Sequence, residues 1–304
     1  MDIHFPEPVA IAAADGYRLA GLLYRPVHPL RGNIIVAGAT GVPQRFYRRF
    51  AEYCCERGYT VLTLDYRGIA ESRQASLKGF DMHLLDWGRH DLSAAVEIMS
   101  KESGPLFLVG HSFGGHALGL LPNHRKIAAC YIFGVGAGWH GWMPFVESLR
   151  VRLLWNVVLP ALVFWKGYAP MSWLGIGEDL PKGVYKPWRD WCRHPHYFFD
   201  DPVWSGIEDE YGSVRTPIVA ANALDDAWAT PASRDAFLRG YRRAPRYIVD
   251  LVPEEIGHPI GHMGYFRATA NSLWDDALAF FGACETPTSA SRVGELTLTS
   301  CPTP

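Results

Sequence analysis

Three residue types that together activate an alcohol as a nucleophile occur in order along this chain: a serine, an aspartate and a histidine. Ser112 lies within Gly110-His-Ser-Phe-Gly114, directly after the short apolar run that begins at Leu106. A G-x-S-x-G sequence between a strand and a helix forms a sharp turn that presents the hydroxyl above a sheet. Glycine is needed at both ends of the motif because a Cβ would clash in the crowded turn. The pattern therefore predicts a nucleophilic serine, with the positive end of the next helix facing a developing oxyanion.

A serine hydroxyl is a weak nucleophile near neutral pH, so Ser112 needs a base and an acid that orients the base. Asp225 and Asp226 follow the apolar run at residues 217–221, where catalytic groups collect in open α/β sheets. We prefer Asp226 because it stands next to the turn that leads to Thr230-Pro231, and Asp225 is the alternative acid. A role limited to capping this turn is the structural alternative for both residues.

Two histidines could supply the base. His258 and His262 lie in a glycine-bordered segment, Ile256-Gly-His-Pro-Ile-Gly-His-Met-Gly-Tyr-Phe266. His262 is the predicted base, since the residues after it lead towards the last predicted helix. His258 precedes a proline and is expected to shape the loop.

Backbone N–H groups are expected to bind the oxyanion. One is the N–H of Phe113, the residue after the nucleophile, and the other comes from the loop Gly38-Ala-Thr-Gly-Val-Pro43, at Ala39 or Thr40. An ordinary glycine-rich connection is the alternative interpretation of this loop. The Lys and Ser/Thr of a phosphate-binding loop are absent from it.

The elements that must position these residues alternate along the chain. Asp15-Gly16 separates two strand patterns, at residues 9–13 and 18–24, and predicts an antiparallel hairpin. Six further short apolar strands are predicted at residues 33–37, 60–64, 106–109, 127–133, 217–221 and 246–251. Helical patterns cover residues 46–57, 86–99, 112–121, 233–241 and 271–281. Together they predict an α/β protein with an eight-stranded, mostly parallel sheet and helices on both faces.

The alternation stops at residues 139–205, which contain eight of the eleven tryptophans. We interpret this segment as an inserted helical cap on a core formed by residues 1–138 and 206–283, with a flexible tail at 284–304. Packing of the cap on the core is favoured as the reason for the aromatic density, ahead of a substrate channel. Within the cap, the apolar run 153–165 is shorter than the ~20 residues that span a bilayer. A buried cap helix and an interfacial segment are the two interpretations left open for this run, and peripheral contact with lipid is not favoured.

Composition narrows the choice of partners. The formal charge of −2 and the lack of a long basic run argue against nucleic acid. The six cysteines have neither metal nor redox spacing, which is typical of free thiols in a reducing compartment. The start MDIHFPEP has no secretory pattern, so a cytoplasmic location is expected. No metal site is predicted, since His194-Pro-His196 near Asp200 lacks a further spaced ligand, and no cofactor is expected.

Several motifs resemble a known family. Gly110-His-Ser-Phe-Gly-Gly115, Asp65-Tyr-Arg-Gly68, the Asp226 loop and Gly261-His262 are together similar to the α/β-hydrolase superfamily, over about residues 9–282. Gly41-Val-Pro-Gln44, Trp87-Gly-Arg-His-Asp91 and Ile260-Gly-His-Met-Gly264 more narrowly resemble a bacterial group of predicted esterase, lysophospholipase-like or serine-aminopeptidase-like hydrolases. Two positions depart from the common pattern. Ala37-Gly38 replaces a His-Gly pair, and Ala70 stands where the D-x-R-G-x-G-x-S pattern has its second glycine.

The leading functional hypothesis is an esterase-type serine hydrolase. It would cleave a small or medium ester, thioester or amide whose apolar part is held under the cap, through an acyl-enzyme on Ser112. An acyltransferase on the same fold is one alternative. A hydrolase-like protein that binds a ligand or partner without catalysis is the other, although a pure binding protein would need no serine, aspartate and histidine in this order.

Overall fold

The fold is organised by one eight-stranded sheet. The structure, a computed structural model, describes residues 6–27, 30–74 and 76–284. The strands lie in the order β1-β2-β4-β3-β5-β6-β7-β8. Their bounds are β1 (Glu7–Ala12), β2 (Arg18–Tyr24), β3 (Gly32–Ala37), β4 (Tyr59–Leu64), β5 (Leu106–His111), β6 (Ala129–Phe133), β7 (Ile218–Ala223) and β8 (Arg246–Leu251). Only β2 runs antiparallel to its neighbours, so the predicted mostly parallel sheet is confirmed.

Ten α-helices lie in the described part of the chain. They are α1 (Arg48–Glu56), α2 (Ser93–Met99), α3 (Phe113–Ala117), α4 (Phe145–Leu153), α5 (Leu159–Lys166), α6 (Lys182–Trp191), α7 (Ile207–Ser213), α8 (Pro231–Leu238), α9 (Pro253–Ile256) and α10 (Asn271–Cys284). Helices α1 and α10 bury their apolar sides on one face of the sheet. Helices α2, α3, α7 and α8 pack on the other face, together with part of the segment 139–205. Central strands covered on both faces are continuous apolar runs, which is why they were recognisable in the sequence.

The carboxyl ends of the parallel strands meet at one edge of the sheet, which we call the upper edge. Ala37 at the end of β3 pairs with Gly110 near the end of β5. The loops that carry Thr40, Ser112, Asp226 and His262 all follow strands at this edge. Residues far apart in sequence are thereby brought together, as expected for an open α/β sheet.

A buried ion pair supports this edge from the side of β4. The Arg67 side chain is 6% exposed, and its Nε donates to Asp91 Oδ1 at 2.7 Å. Its backbone N–H donates to Asp91 Oδ2 at 2.8 Å, and its guanidinium also bonds the Asp15 carboxylate in the β1–β2 turn. These contacts tie the strand end to the segment before α2 and to the hairpin.

The segment 139–205 contains one long helical stretch. Helices α4 and α5 are joined by a π-helical turn, Leu154–Val158, into a continuous helix from Phe145 to Lys166. Pro160 cannot donate a backbone hydrogen bond, and a widened turn before it accommodates this loss.

This helix is longer than the apolar run that was recognised in the sequence. The apolar run 153–165 is part of a helix of 22 residues, which is long and apolar enough to cross a membrane by length and composition alone. Only 22% of its most apolar window is buried, so the helix lies at the protein surface with one side packed inwards. The predicted tail lies outside the described residues, apart from Cys284 at the end of α10.

Candidate active site

Ser112 lies on the turn between β5 and α3 and has an unusual backbone conformation. Its φ of 51° and ψ of −111° are values that a residue with a side chain rarely adopts. The turn has no room for a Cβ at the flanking glycines. A Cβ on Gly114 would lie 1.8 Å from the Ala37 carbonyl oxygen, and one on Gly110 would lie 2.7 Å from the backbone of Gly114. The sequence requirement for glycine therefore has a direct steric cause.

The structure brings Ser112, His262 and Asp226 into one hydrogen-bonded chain. Ser112 Oγ lies 3.0 Å from His262 Nε2, and His262 Nδ1 lies 2.8 Å from Asp226 Oδ2. A neutral imidazole that donates from Nδ1 to the carboxylate can accept the serine proton at Nε2. The His262 side chain keeps 22% exposure, whereas the Asp226 side chain is fully buried. The His262 imidazole is therefore accessible from outside, whereas the Asp226 carboxylate is shielded from water.

The Asp226 carboxylate is held by three further groups. Oδ1 accepts the backbone N–H groups of Trp228 and Ala229, at 2.9 and 3.0 Å, and Oδ2 accepts the Tyr265 hydroxyl at 3.0 Å. Burial alone would raise the pKa of Asp226. The opposite charge and hydrogen bond of His262, with the two backbone bonds, outweigh burial and hold that pKa below its usual value.

Asp225 lies in a different environment. Its two carboxylate oxygens accept the backbone N–H groups of Ile260 and Gly261, both at 2.9 Å. The side chain therefore anchors the loop that carries His262 and makes no hydrogen bond to the imidazole. His258 is equally separate, with both ring nitrogens near loop carbonyls, those of Pro259 and Thr269.

The predicted oxyanion donors differ in their availability. The N–H of Phe113, at the start of α3, and the N–H of Thr40 have no acceptor within the described residues. The N–H of Ala39 already donates to the Tyr47 hydroxyl at 2.7 Å, and Ala39 is buried. The backbone N–H groups of Phe113 and Thr40 are therefore the two predicted donors that are available to bind an oxyanion.

Tyr47 and His111 were not singled out from the sequence. The Tyr47 hydroxyl, which accepts from Ala39, lies 3.0 Å from His111 Nδ1, and His111 Nε2 lies 2.8 Å from the backbone oxygen of His262. Burial, and secondarily the nearby charge of His262, lower the pKa of His111 to about 3, so its ring is neutral. The tyrosine then donates to Nδ1 and the ring donates from Nε2. One buried imidazole therefore joins two loops. One holds the predicted oxyanion donors, residues 38–43, and is called the oxyanion loop; the other carries the predicted base His262 and is called the base loop.

A second buried contact holds the far end of the oxyanion loop. Asp65, at the end of β4, accepts the backbone N–H of Gln44 at 2.7 Å and its side-chain amide at 3.1 Å. Burial raises the pKa of Asp65 to about 6, although the bonds from Gln44 oppose this shift. The motif that begins at Asp65 thus fixes the loop that holds Thr40.

The segment 139–205 contacts the loop that carries the acid. Trp228 Nε1 donates to Glu147 Oε1 of α4 at 2.8 Å, and the Trp228 and His262 rings lie 6.1 Å apart. Thr230 also donates to the Trp142 carbonyl at 3.0 Å. The first turn of the long helix therefore contacts Trp228, whose ring lies next to the imidazole.

No metal-binding group is evident in the described residues. His196 Nδ1 pairs with Asp200 at 3.0 Å, and the described part of the chain brings no three histidine, cysteine, aspartate or glutamate side chains together in a way that could hold an ion.

Comparisons with solved structures identify the same fold in a lipase, in an esterase and in DcsB. A soluble variant of monoglyceride lipase from Saccharomyces cerevisiae, in complex with a substrate analog, superposes with a TM-score of 0.67 at 16% identity, covering 94% of this chain and 97% of that one. An esterase from Pyrococcus furiosus gives a TM-score of 0.61 at 14% identity, with 92% and 90% covered. DcsB, in complex with its substrate analogue, gives 0.62 at 14% identity, with 93% and 100% covered. At these identities the likeness establishes the fold.

No curated protein matches the sequence. The family model for the alpha/beta hydrolase family matches residues 34–270, which include the serine, the aspartate and the histidine described above. The chain belongs to the alpha/beta hydrolase family.

Proposed function

We propose that this alpha/beta hydrolase is a serine hydrolase that cleaves a carboxylic ester, thioester or amide through an acyl-enzyme on Ser112. The observation that carries the proposal is the chain of hydrogen bonds Ser112 Oγ to His262 Nε2, at 3.0 Å, and His262 Nδ1 to Asp226 Oδ2, at 2.8 Å. Both are needed to remove a proton from a serine near neutral pH.

The reaction follows from this geometry. Ser112 Oγ attacks the substrate carbonyl carbon while its proton passes to His262 Nε2, and the buried Asp226 carboxylate stabilises the imidazolium. The carbonyl oxygen becomes an oxyanion that accepts the N–H groups of Phe113 and Thr40. The carbon–leaving-group bond then breaks, and the leaving group takes the proton from Nε2. Water, deprotonated by the same histidine, attacks the acyl-enzyme and releases the acid and free Ser112.

The substrate class rests on the surroundings of the site. We propose that residues 139–205 form a cap over a core of residues 6–138 and 206–283, because Glu147 and Trp142 bond the loop of Asp226. Trp228 and Trp188, with ring centroids 6.4 Å apart, give the approach an apolar wall. The structural neighbours include a monoglyceride lipase and an esterase, which supports a carboxylic ester with an apolar part. Buried thiols at Cys54, Cys130 and Cys192 fit a cytoplasmic location.

A fluorophosphonate probe tests the proposal. The probe phosphonylates an activated serine, so mass spectrometry of the purified protein should locate one adduct, on Ser112, that is absent from Ser112→Ala. The rate of labelling should fall by roughly 10³-fold or more in His262→Ala and Asp226→Asn.

Two neighbouring residues provide matched controls. His258→Ala and Asp225→Asn change the same residue types in the same loops without removing a member of the hydrogen-bonded chain. Labelling of His258→Ala should stay within about tenfold of the wild type. Labelling of Asp225→Asn should fall less than that of Asp226→Asn, because the variant loses only one of the two bonds that anchor the His262 loop. Absence of labelling in a folded wild-type sample, or equal losses in the matched pairs, would favour a non-catalytic binding protein. Once labelling is established, an ester panel of increasing acyl length, with alcohol and amine acceptors added, would separate hydrolysis from acyl transfer.

A further inference from the structure

The outer side of the long helix Phe145–Lys166 is apolar and faces solvent. Phe145, Leu149, Leu153 and Val157 recur every four residues, which places them along one side of the helix, and all are exposed. Phe164, at 94%, and Trp165, at 69%, extend this exposure to the end of the helix. A helix of a water-soluble domain normally turns such a side inwards, so a contiguous exposed apolar side marks a contact surface.

Aromatic and basic residues flank this apolar side. Lys166 Nζ lies 4.1 Å from the centroid of the Trp173 ring and 4.9 Å from that of Trp165, and both tryptophans are exposed. Arg150 and Arg152 are exposed on the first half of the helix. Tryptophan and lysine grouped at the edge of an apolar surface are typical of residues at the boundary between lipid headgroups and acyl chains.

The charges identify the partner. The helix carries three cations, Arg150, Arg152 and Lys166, and a single acid, Glu147. The Glu147 side chain is 18% exposed, accepts the Trp228 indole N–H and lies 3.7 Å from Arg150, so Arg152 and Lys166 leave the net charge of the helix positive. A second copy of this chain, packed about a two-fold axis, would place these cations against each other. An anionic surface with an apolar interior satisfies both features.

We infer that the helix Phe145–Lys166 is a docking surface for an anionic lipid bilayer. It lies in the plane of the interface, with Phe164 and Trp165 inserted among the acyl chains and the arginines near the headgroups. It does not span the bilayer, because its inner side contributes Val151, Trp155, Leu159 and Val163 to the protein core. The inference stands independently of catalysis.

Flotation of the full-length protein with vesicles tests the inference. Vesicles of phosphatidylcholine with phosphatidylglycerol should carry the protein to the top of a density gradient, and vesicles of phosphatidylcholine alone should carry much less. Phe164→Glu combined with Trp165→Glu should weaken binding at least about tenfold. Arg152→Gln should reduce binding to the anionic vesicles about fivefold and reduce its dependence on salt.

Val27→Glu is the matched control. Val27 is 68% exposed and precedes β3, at the edge of the sheet opposite to Ser112, so this variant should bind as the wild type does. Thermal midpoints equal to that of the wild type would verify that each variant is folded. Failure of the wild type to float with anionic vesicles, or equal binding by the Phe164/Trp165 variant, would overturn the inference. Dispersal of a dimer by that variant in sedimentation, without any vesicle binding, would assign the surface to a second copy instead.

Discussion

The hydroxyl of Tyr47 is expected to stabilise both the fold and the site. In Tyr47→Phe, the buried N–H of Ala39 and the buried Nδ1 of His111 each lose their hydrogen-bond partner. A buried polar group without a partner costs about 1–3 kcal/mol. Two such groups should therefore lower the free energy of unfolding by about 3 kcal/mol.

Tyr66→Phe is the matched control for this prediction. Tyr66 is also a buried tyrosine, 2% exposed, but its hydroxyl makes no hydrogen bond within the described residues. Removal of that hydroxyl should leave stability unchanged or slightly raised, because the group has no partner to lose. The comparison separates the hydrogen bonds of Tyr47 from the general effect of deleting a buried oxygen.

Thermal unfolding and probe labelling provide the two assays. The midpoint of Tyr47→Phe should fall by roughly 5–10 °C. Labelling of Ser112 should slow by about tenfold, since the oxyanion loop and the base loop lose their shared contact through His111. Equal thermal midpoints for Tyr47→Phe and Tyr66→Phe would refute the stabilising role of the hydrogen bonds from Tyr47 to Ala39 and His111. A fall in stability without any change in labelling would refute its positioning role alone.

Three further predictions follow from buried contacts. Gly114→Ala should prevent formation of the native turn, because the new Cβ would overlap the Ala37 carbonyl oxygen; a soluble variant with the wild-type midpoint would contradict this. His116→Phe should flatten the loss of stability in acid. Burial lowers the pKa of His116 to about 4, so between about pH 6.5 and 4 only the unfolded chain takes up this proton. From pH 6.5 to pH 5, the free energy of unfolding, measured by denaturation, should therefore fall by about 2 kcal/mol less in the variant than in the wild type. Asp91→Asn should lower the free energy of unfolding by about 3 kcal/mol, because the buried Arg67 loses one of its two carboxylate partners. An unchanged thermal midpoint would contradict the contribution of this ion pair to stability.

The strands and the order of the site residues could be predicted from the sequence because each has a local signal. The alternating and apolar runs gave β2 and β8 their observed bounds, and Ser112 lies in a motif that its turn requires. The choice of Asp226 over Asp225 depended on a turn signal within a few residues. In each case neighbouring residues carry the information.

Contacts between distant residues had no such signal. The bond between Tyr47 and His111 joins the residue before α1 to β5, and it depends on how that helix packs on the sheet. The hydrogen bond from the Ala39 N–H to the Tyr47 hydroxyl depends on the same packing. The sequence therefore could not distinguish Ala39 from Thr40 as the oxyanion donor. The exposed side of the long helix could not be predicted from the sequence either. Residues 153–165 are apolar apart from Asn156, and their composition does not indicate which side packs on the protein.

The backbone of Ser112 has a consequence for how this protein would evolve. A serine held at φ 51° and ψ −111° costs about 1–3 kcal/mol, which glycine would not incur. The residue that we propose as the nucleophile is thus one whose replacement by glycine would relieve backbone strain. Under selection for heat resistance alone, with no reward for turnover, glycine at this position should be among the earliest changes to accumulate. Survival of serine there through many rounds would mean that the surrounding turn, and not chemistry, holds it in place.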